Sequence, residues 1–338
     1  MSRLFRCRVG AVVVTFVLLL CANPSPAYAD QYAMVVTGAS GGDAYAQKYA
    51  RWTATFVSTL REKFGYAPDH LLLFAETESQ GVSKATRDNV RRALTDLRRR
   101  LTKDDQLLVL LVGHGTPAEG PDGDDAKFNL VGPDMRATEW AELLKPIPGR
   151  LVFVNTTGAS FPFLRKLAGR GRIVLTATDS AAQQFETVFP EYFLSAFGDQ
   201  AADIDKNGRV SVWEAFVYAS AQVHQWYEQK GQLPTERPLL DDTGAGVGRE
   251  ALLTARDVVN AGTDGAVART TYLAPDPAAA IPTNTTVGAL TKRRAELETE
   301  LEQLKARKDT LSPDQYQADL ERLLLEIARV DVQLRSKS

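Results

Sequence analysis

The sequence predicts a doubly wound α/β fold with a mostly parallel sheet, and three observations carry that expectation. Short apolar runs alternate with stretches whose apolar residues recur at helical spacing, from residue 33 to residue 177. That alternation is the mark of strand–helix–strand units laid on one parallel sheet. The run at residues 107–115, LLVLLVGHG, is apolar and unbroken until Gly113-His114-Gly115, as expected of a strand buried on both faces. A second run, LVFVN at 151–155, follows one helical segment later and ends in the small residues 156–160. Ligands of open α/β sheets sit just past the carboxyl ends of the strands. A histidine on one strand end beside hydroxyls on the next therefore marks the candidate site.

The chain has 338 residues and a formal net charge of −2. Bulk electrostatics thus favour neither nucleic acid nor an anionic membrane surface as partner. Arg3, Arg6 and Arg8 flank an apolar stretch that runs to Leu20, and Ala27-Tyr28-Ala29 has the small-x-small pattern of a cleavage site. Residues 1–29 read as a secretory signal cleaved after Ala29, which exports the protein to the periplasm or the exterior. Its apolar core is too short to span a bilayer comfortably, so no stable membrane span is expected after cleavage. Cys7 and Cys21 both lie in the removed part, and the bulky Leu20 argues against lipid attachment at Cys21. The mature chain then has no disulfide, no thiolate ligand and no thiol nucleophile.

The α/β domain is expected over residues 30–261. It starts with a strand at 33–37 and a turn at 38–42, then a helix carrying Tyr45, Tyr49, Trp52, Phe56, Leu60 and Phe64 on one face. Gly65 ends that helix, and Pro68 sits in the turn to a strand at 71–74. Thr86 is placed to cap a helix with the stripe Val90, Ala93, Leu94, Leu97 and Leu101. The arginines of this helix (Arg91, Arg92, Arg98, Arg99, Arg100) read as a solvated face. After the His114 strand come an acidic loop through Asp125, helices near 137–144 and 161–167 on either side of the 151–155 strand, and a strand at 173–177. The turn VVTGASGGDA at 35–44 looks like a dinucleotide-binding loop but lacks the third glycine, and Glu76 stands too far on to bind a ribose.

From Phe189 the pattern changes. An aromatic helix with Phe189, Tyr192, Phe193 and Phe197 leads into DIDKNGRVSVWE at 203–214. This matches the calcium loop D-x-[DN]-x-[DN]-G-x5-E at every position. Asp203, Asp205 and Asn207 supply side-chain oxygens, and Gly208 makes the sharp turn. Arg209 supplies its carbonyl, Ser211 a hydroxyl or a bridged water, and Glu214 both carboxylate oxygens. The helix that follows has the stripe Trp213, Phe216, Val217, Ser220, Val223 and Tyr227, whereas Asp241-Asp242-Thr243-Gly244 lacks a terminal Glu and is not taken as a second loop. Residues 262–285 are expected to be a linker. Residues 286–338 are expected to form an α-helical hairpin, with Leu290, Leu297, Leu301 and Leu304 facing Tyr316, Leu320, Leu323, Ile327, Val330 and Leu334. The alternating spacing of four and three is a coiled-coil seam able to self-associate or to dock.

Over roughly residues 31–248 the sequence resembles the caspase–legumain superfamily of cysteine peptidases, and most of all bacterial relatives of legumain. The stretches that carry the resemblance are MVVTGASGGDAYAQKYA, LLVLLVGHGT, LVFVN and RIVLTATDSAAQQFETVFPEYF. The resemblance implies a caspase-like sheet, His114 as catalytic base and a nucleophilic cysteine after the next strand. This chain has Asn155-Thr156-Thr157-Gly158-Ala159-Ser160 there, with Thr157 at or next to the cysteine position. Three readings follow. The leading one is an exported pseudopeptidase that binds a peptide or protein ligand. The second is an active hydrolase in which His114 activates Thr157 or Ser160, with Asp122, Asp124 or Asp179 as orienting group. Small neighbours are expected to leave Ser160 accessible. The third is a structural assembly module that works through its coiled coil.

Overall fold

The computed structural model describes residues 29–117, 125–251, 265–275, 286–308 and 311–337. The predicted signal segment therefore lies outside the described residues up to residue 28. Among the described residues no helix is long and apolar enough to cross a membrane.

The chain runs β1 (Gln31–Thr37), α1 (Asp43–Ser58), β2 (Leu71–Ala75), β3 (Val82–Lys84), α2 (Arg87–Arg100) and β4 (Gln106–Val112). Short strands β5 (Gly115–Thr116), β6 (Lys127–Phe128) and β7 (Met135–Arg136) follow, then α3 (Ala137–Leu144), β8 (Arg150–Asn155), α4 (Phe161–Leu167) and β9 (Arg172–Thr176). The domain continues with α5 (Phe189–Ala196), α6 (Val212–Lys230) and β10 (Leu239–Asp241). The main sheet has the order β10-β9-β8-β4-β1-β2-β3. Every pair in it is parallel except β10 with β9. A small antiparallel sheet of β5, β6 and β7 stands beside it.

The unbroken apolar strands follow from this arrangement. Alternate residues face opposite ways, so Val35, Leu108, Leu110, Val152 and Val154 pack with α1, α5 and α6, while Met34, Val36, Leu107, Val109 and Phe153 pack with α2, α3 and α4. All seven residues of β4 are buried, because helices cover both faces of a parallel sheet. From β1 the chain moves outward to β2 and β3, then returns to place β4 on the other side of β1. The carboxyl ends of β1 and β4 are thus the topological switch point, the place where such sheets bind ligands. His114 stands there.

Several details depart from expectation. The first helix continues as a π-wound turn, Thr59–Lys63, before Gly65 at φ 70° ends it. Strands β3 and β10 were not expected, being three residues each and too short for a periodic signal. The predicted linker needs correction over residues 265–275, where Ala266–Arg269 form α7 and Ala268, Thr271 and Leu273 are fully buried. The Asp242 carboxylate accepts from the amides of Gly265, Val267 and Ala268. A Cβ on Gly265 would meet the Trp213 ring at 2.7 Å. Gly265, one of the small residues that suggested a linker, is small because Trp213 packs closely on it. The rest of the expected linker lies outside the described residues.

Two further helices, α8 (Thr286–Ala306) and α9 (Pro313–Arg335), pack along each other. They bury Leu297, Leu304, Leu323 and Val330 between them. Ion pairs from Arg293 to Glu326 and from Arg294 to Asp331 bridge them. Ser312 caps α9 by accepting from the Gln315 amide.

Candidate functional site

Gly113 ends β4 with its Cα where an added Cβ would press on the backbone of Gly38, so the ends of β4 and β1 approach closely. This delivers His114 to a box made by α1. The Tyr45 ring meets it edge-on at 4.8 Å and Tyr49 at 5.7 Å. His114 Nε2 lies 2.9 Å from the Ser40 carbonyl and 3.3 Å from the Tyr49 hydroxyl. A carbonyl only accepts, so Nε2 carries the proton and donates it to Ser40, which leaves the basic lone pair on Nδ1. Ser40 is itself held, since its amide and hydroxyl both donate to Glu76 Oε2 at 3.2 and 2.5 Å. Tyr45 and Tyr49 read in the sequence as part of an apolar stripe. Their spacing of four puts both on one face of α1, and only the fold brings that face to His114.

Thr157 is on the neighbouring strand end, 1% exposed. Its amide donates to Asn155 Oδ1 at 3.0 Å, and its hydroxyl lies 2.8 Å from the same oxygen and 3.0 Å from the Gly158 carbonyl. The strand ends do touch. A Cβ on Gly115 would fall inside the Gly158 carbonyl oxygen and 2.6 Å from Thr157 Oγ1. Among the described residues, however, no hydrogen bond joins His114 to Thr157 or Ser160. Gly115→Ala is expected to cost about 1–3 kcal/mol from overpacking against a backbone that cannot move aside, read as a lower midpoint in thermal denaturation. An unchanged midpoint would show that the two strand ends are not in this contact.

The expected accessibility of Ser160 is corrected. The residue is 0% exposed, and its hydroxyl lies 3.0 Å from Thr178 Oγ1 and accepts from the Thr178 amide at 3.1 Å. Its own amide donates to Thr178 Oγ1. The small residues serve a tight turn rather than an opening. Ala159 holds φ 52° and donates its amide to the Gln183 carbonyl. Residues 183–187 lie over this turn: Gly158 abuts the Phe185 and Gln183 carbonyls, Thr187 donates to the Thr156 carbonyl, and Glu186 pairs with Lys48. Asp179 pairs with Arg237 at 3.8 Å; Asp122 and Asp124 lie outside the described residues.

A second constellation stands apart. One carboxylate oxygen each of Asp203, Asp205 and Glu214 lies within 4.8 Å of the others, a group that could hold a metal ion. Gly208, at φ 86°, makes the turn, and Asp203 accepts from the amides of Asn207 and Gly208. Asn207 Oδ1 accepts from the Arg209 amide, while its Nδ2 donates to Asp205 and to the Tyr272 hydroxyl. The Arg209 guanidinium stacks 3.7 Å over the Tyr272 ring. Ser211 and Glu214 close a capping box at the start of α6. Glu214 also accepts from the amides of Ile204 and Asp205. Burial raises both the Asp205 and Glu214 carboxyls above the usual range, against the pull of the amides that donate to them. A bound cation would relieve that cost.

Glu236 is a buried carboxylate with no local signature in the sequence. It is 2% exposed, yet its carboxylate accepts from the amides of Val188 and Phe189 at the start of α5 and from the Tyr227 hydroxyl.

No family model and no curated protein matches the chain. Among solved structures, protein GSU0716 from Geobacter sulfurreducens is 15% identical with a TM-score of 0.40, over 62% of this chain and 92% of that one. Raptor from Chaetomium thermophilum is 11% identical with a TM-score of 0.34, over 90% of this chain and 35% of that one.

Proposed function

We propose that this is an exported protein of the caspase–legumain type whose switch-point site binds a peptide or protein ligand without cutting it. The observation that carries the reading is the state of Thr157, the residue at the position the resemblance gives to the nucleophile. Its hydroxyl is buried and engaged with Asn155 and the Gly158 carbonyl. A neutral hydroxyl attacks only when a base within hydrogen-bond reach takes its proton. His114 Nε2 donates to Ser40, and among the described residues no hydrogen bond joins the basic Nδ1 to Thr157 or Ser160; known threonine nucleophiles use their own terminal amine, which a mid-chain residue lacks. Ser160 is equally engaged, by Thr178. The strand order and the neighbouring positions of His114 and Thr157 support the family reading.

Calcium is the ion we assign to the 203–214 loop. Asp203, Asp205, Asn207, the Arg209 carbonyl, Ser211 and Glu214 are all hard oxygen donors in the calcium-loop spacing. For a protein outside the cytosol, with mature start at Asp30, an affinity of about 10⁻⁴–10⁻³ M suffices.

The test incubates the protein with a broad peptide library, with and without calcium, beside His114→Ala, and adds a fluorophosphonate probe. The expected result is peptides retained but uncut, and no probe label. Cleavage or labelling that disappears in His114→Ala overturns the silent reading. A library neither cut nor retained overturns the binding reading.

A further inference from the structure

Helix α9 has two apolar faces, and its partner α8 covers one of them. The covered seam takes Tyr316, Leu320, Leu323, Ile327, Val330 and Leu334. Ala318, Leu325 and Val332 recur at intervals of seven. At about 100° per residue they fall on the side of α9 opposite that seam. Leu325 is 50% exposed and Val332 67%. The three form an open apolar stripe over four turns, one residue per heptad, with Ala318 as its small member.

The charges beside this stripe indicate its occupant. Glu321 stands four residues before Leu325 and Arg329 four residues after it, both exposed. Among the described residues neither forms an ion pair, whereas Arg293, Arg294, Arg322, Glu326 and Asp331 are paired. We propose that the open stripe is the interface for a second copy of this chain, with two α9 helices antiparallel about Leu325. That register sets Glu321 of each copy against Arg329 of the other, and Ala318 against Val332, small against large. Parallel pairing would instead oppose Glu321 to Glu321 and Arg329 to Arg329, like charge to like. The charge pattern is thus self-complementary in one direction only, which is what an isologous two-fold interface requires. This stripe is not the seam expected from the sequence, since those residues are spent between α8 and α9.

The test measures the mass of the full chain in solution by light scattering and sedimentation at micromolar concentration. The expected result is a dimer that Leu325→Glu and Val332→Glu convert to monomer. Both side chains point outward, so circular dichroism and the thermal midpoint of the isolated monomer should stay those of a folded chain. Glu321→Arg should raise the dissociation constant roughly tenfold or more, because it sets like charges together twice. Adding Arg329→Glu in the same chain should restore the dimer, a rescue that parallel pairing cannot give. A monomeric wild-type chain overturns the proposal. So does a dimer indifferent to Leu325→Glu, or a reversed pair that fails to rescue.

Discussion

Glu214→Ala is expected to lower the thermal midpoint substantially even without metal, and to abolish any calcium-dependent rise. The Glu214 carboxylate accepts from the amides of Ile204, Asp205 and Ser211 and from the Ser211 hydroxyl. Truncation leaves these donors without a partner at a mostly buried position. Unsatisfied buried groups cost about 1–3 kcal/mol each before relaxation and water entry. A net loss of about 3 kcal/mol, or about 6–12 °C in a domain of this size, is the expected outcome. Glu214→Gln separates the two roles. Its remaining carbonyl oxygen still caps α6, so much of the apo stability should return, but the second anionic oxygen for the ion is gone. At about 10 mM calcium and a dissociation constant near 1 mM, binding adds about 1.4 kcal/mol to the wild type. The same rise in Glu214→Gln would sink the calcium assignment, and a midpoint unchanged by Glu214→Ala would sink the capping account.

Glu236→Gln should remove a pH dependence that runs opposite to that of an ordinary paired carboxylate. Burial pushes the Glu236 carboxyl from 4.5 up to about 7, outweighing the Val188 and Phe189 amides and the Tyr227 hydroxyl that favour its charged form; Glu186 adds to the rise. The folded state therefore holds this proton more tightly than the unfolded chain does. Its contribution is complete below about pH 4.5 and is lost as pH climbs to about 7, amounting to about 3 kcal/mol. Gln cannot titrate but keeps an oxygen for one of the α5 amides. The wild-type stability minus that of Glu236→Gln, from urea unfolding between pH 4 and pH 8, should fall across that window. A flat difference would show that the carboxyl stays charged in the fold, held by the helix amides.

Much of the framework follows from neighbouring residues alone. The expected spans 137–144 and 161–167 coincide with α3 and α4. Thr86 caps α2 as its sequence position implies. Ser211 and Glu214 form a capping box inside the motif that also reads as a calcium loop. These features depend on spacing within a few residues, and periodicity and capping are local by nature. Six of the seven buried positions of β4, residues 107–112, were legible for the same reason, since an unbroken apolar run has no solvent face to give; the polar Gln106 was not.

What the local pattern could not reveal is which remote segment covers a residue. Ser160 looked open among small neighbours until Thr178, from the next strand end, closed it. The stretch at 265–275 had a linker's composition until Asp242 capped it and Trp213 packed against Gly265. His114 was legible as a strand-end histidine, but its tautomer is set by the Ser40 carbonyl and its walls by Tyr45 and Tyr49. Local patterns were enough for the alternation of strands and helices and for the strand ends that carry His114 and Thr157. It took the packed chain to seal Thr157 and Ser160, to bury Glu236 and to leave one face of α9 open. The physical reason is that accessibility and hydrogen-bond partners depend on contacts between residues far apart in the chain, which no local period encodes.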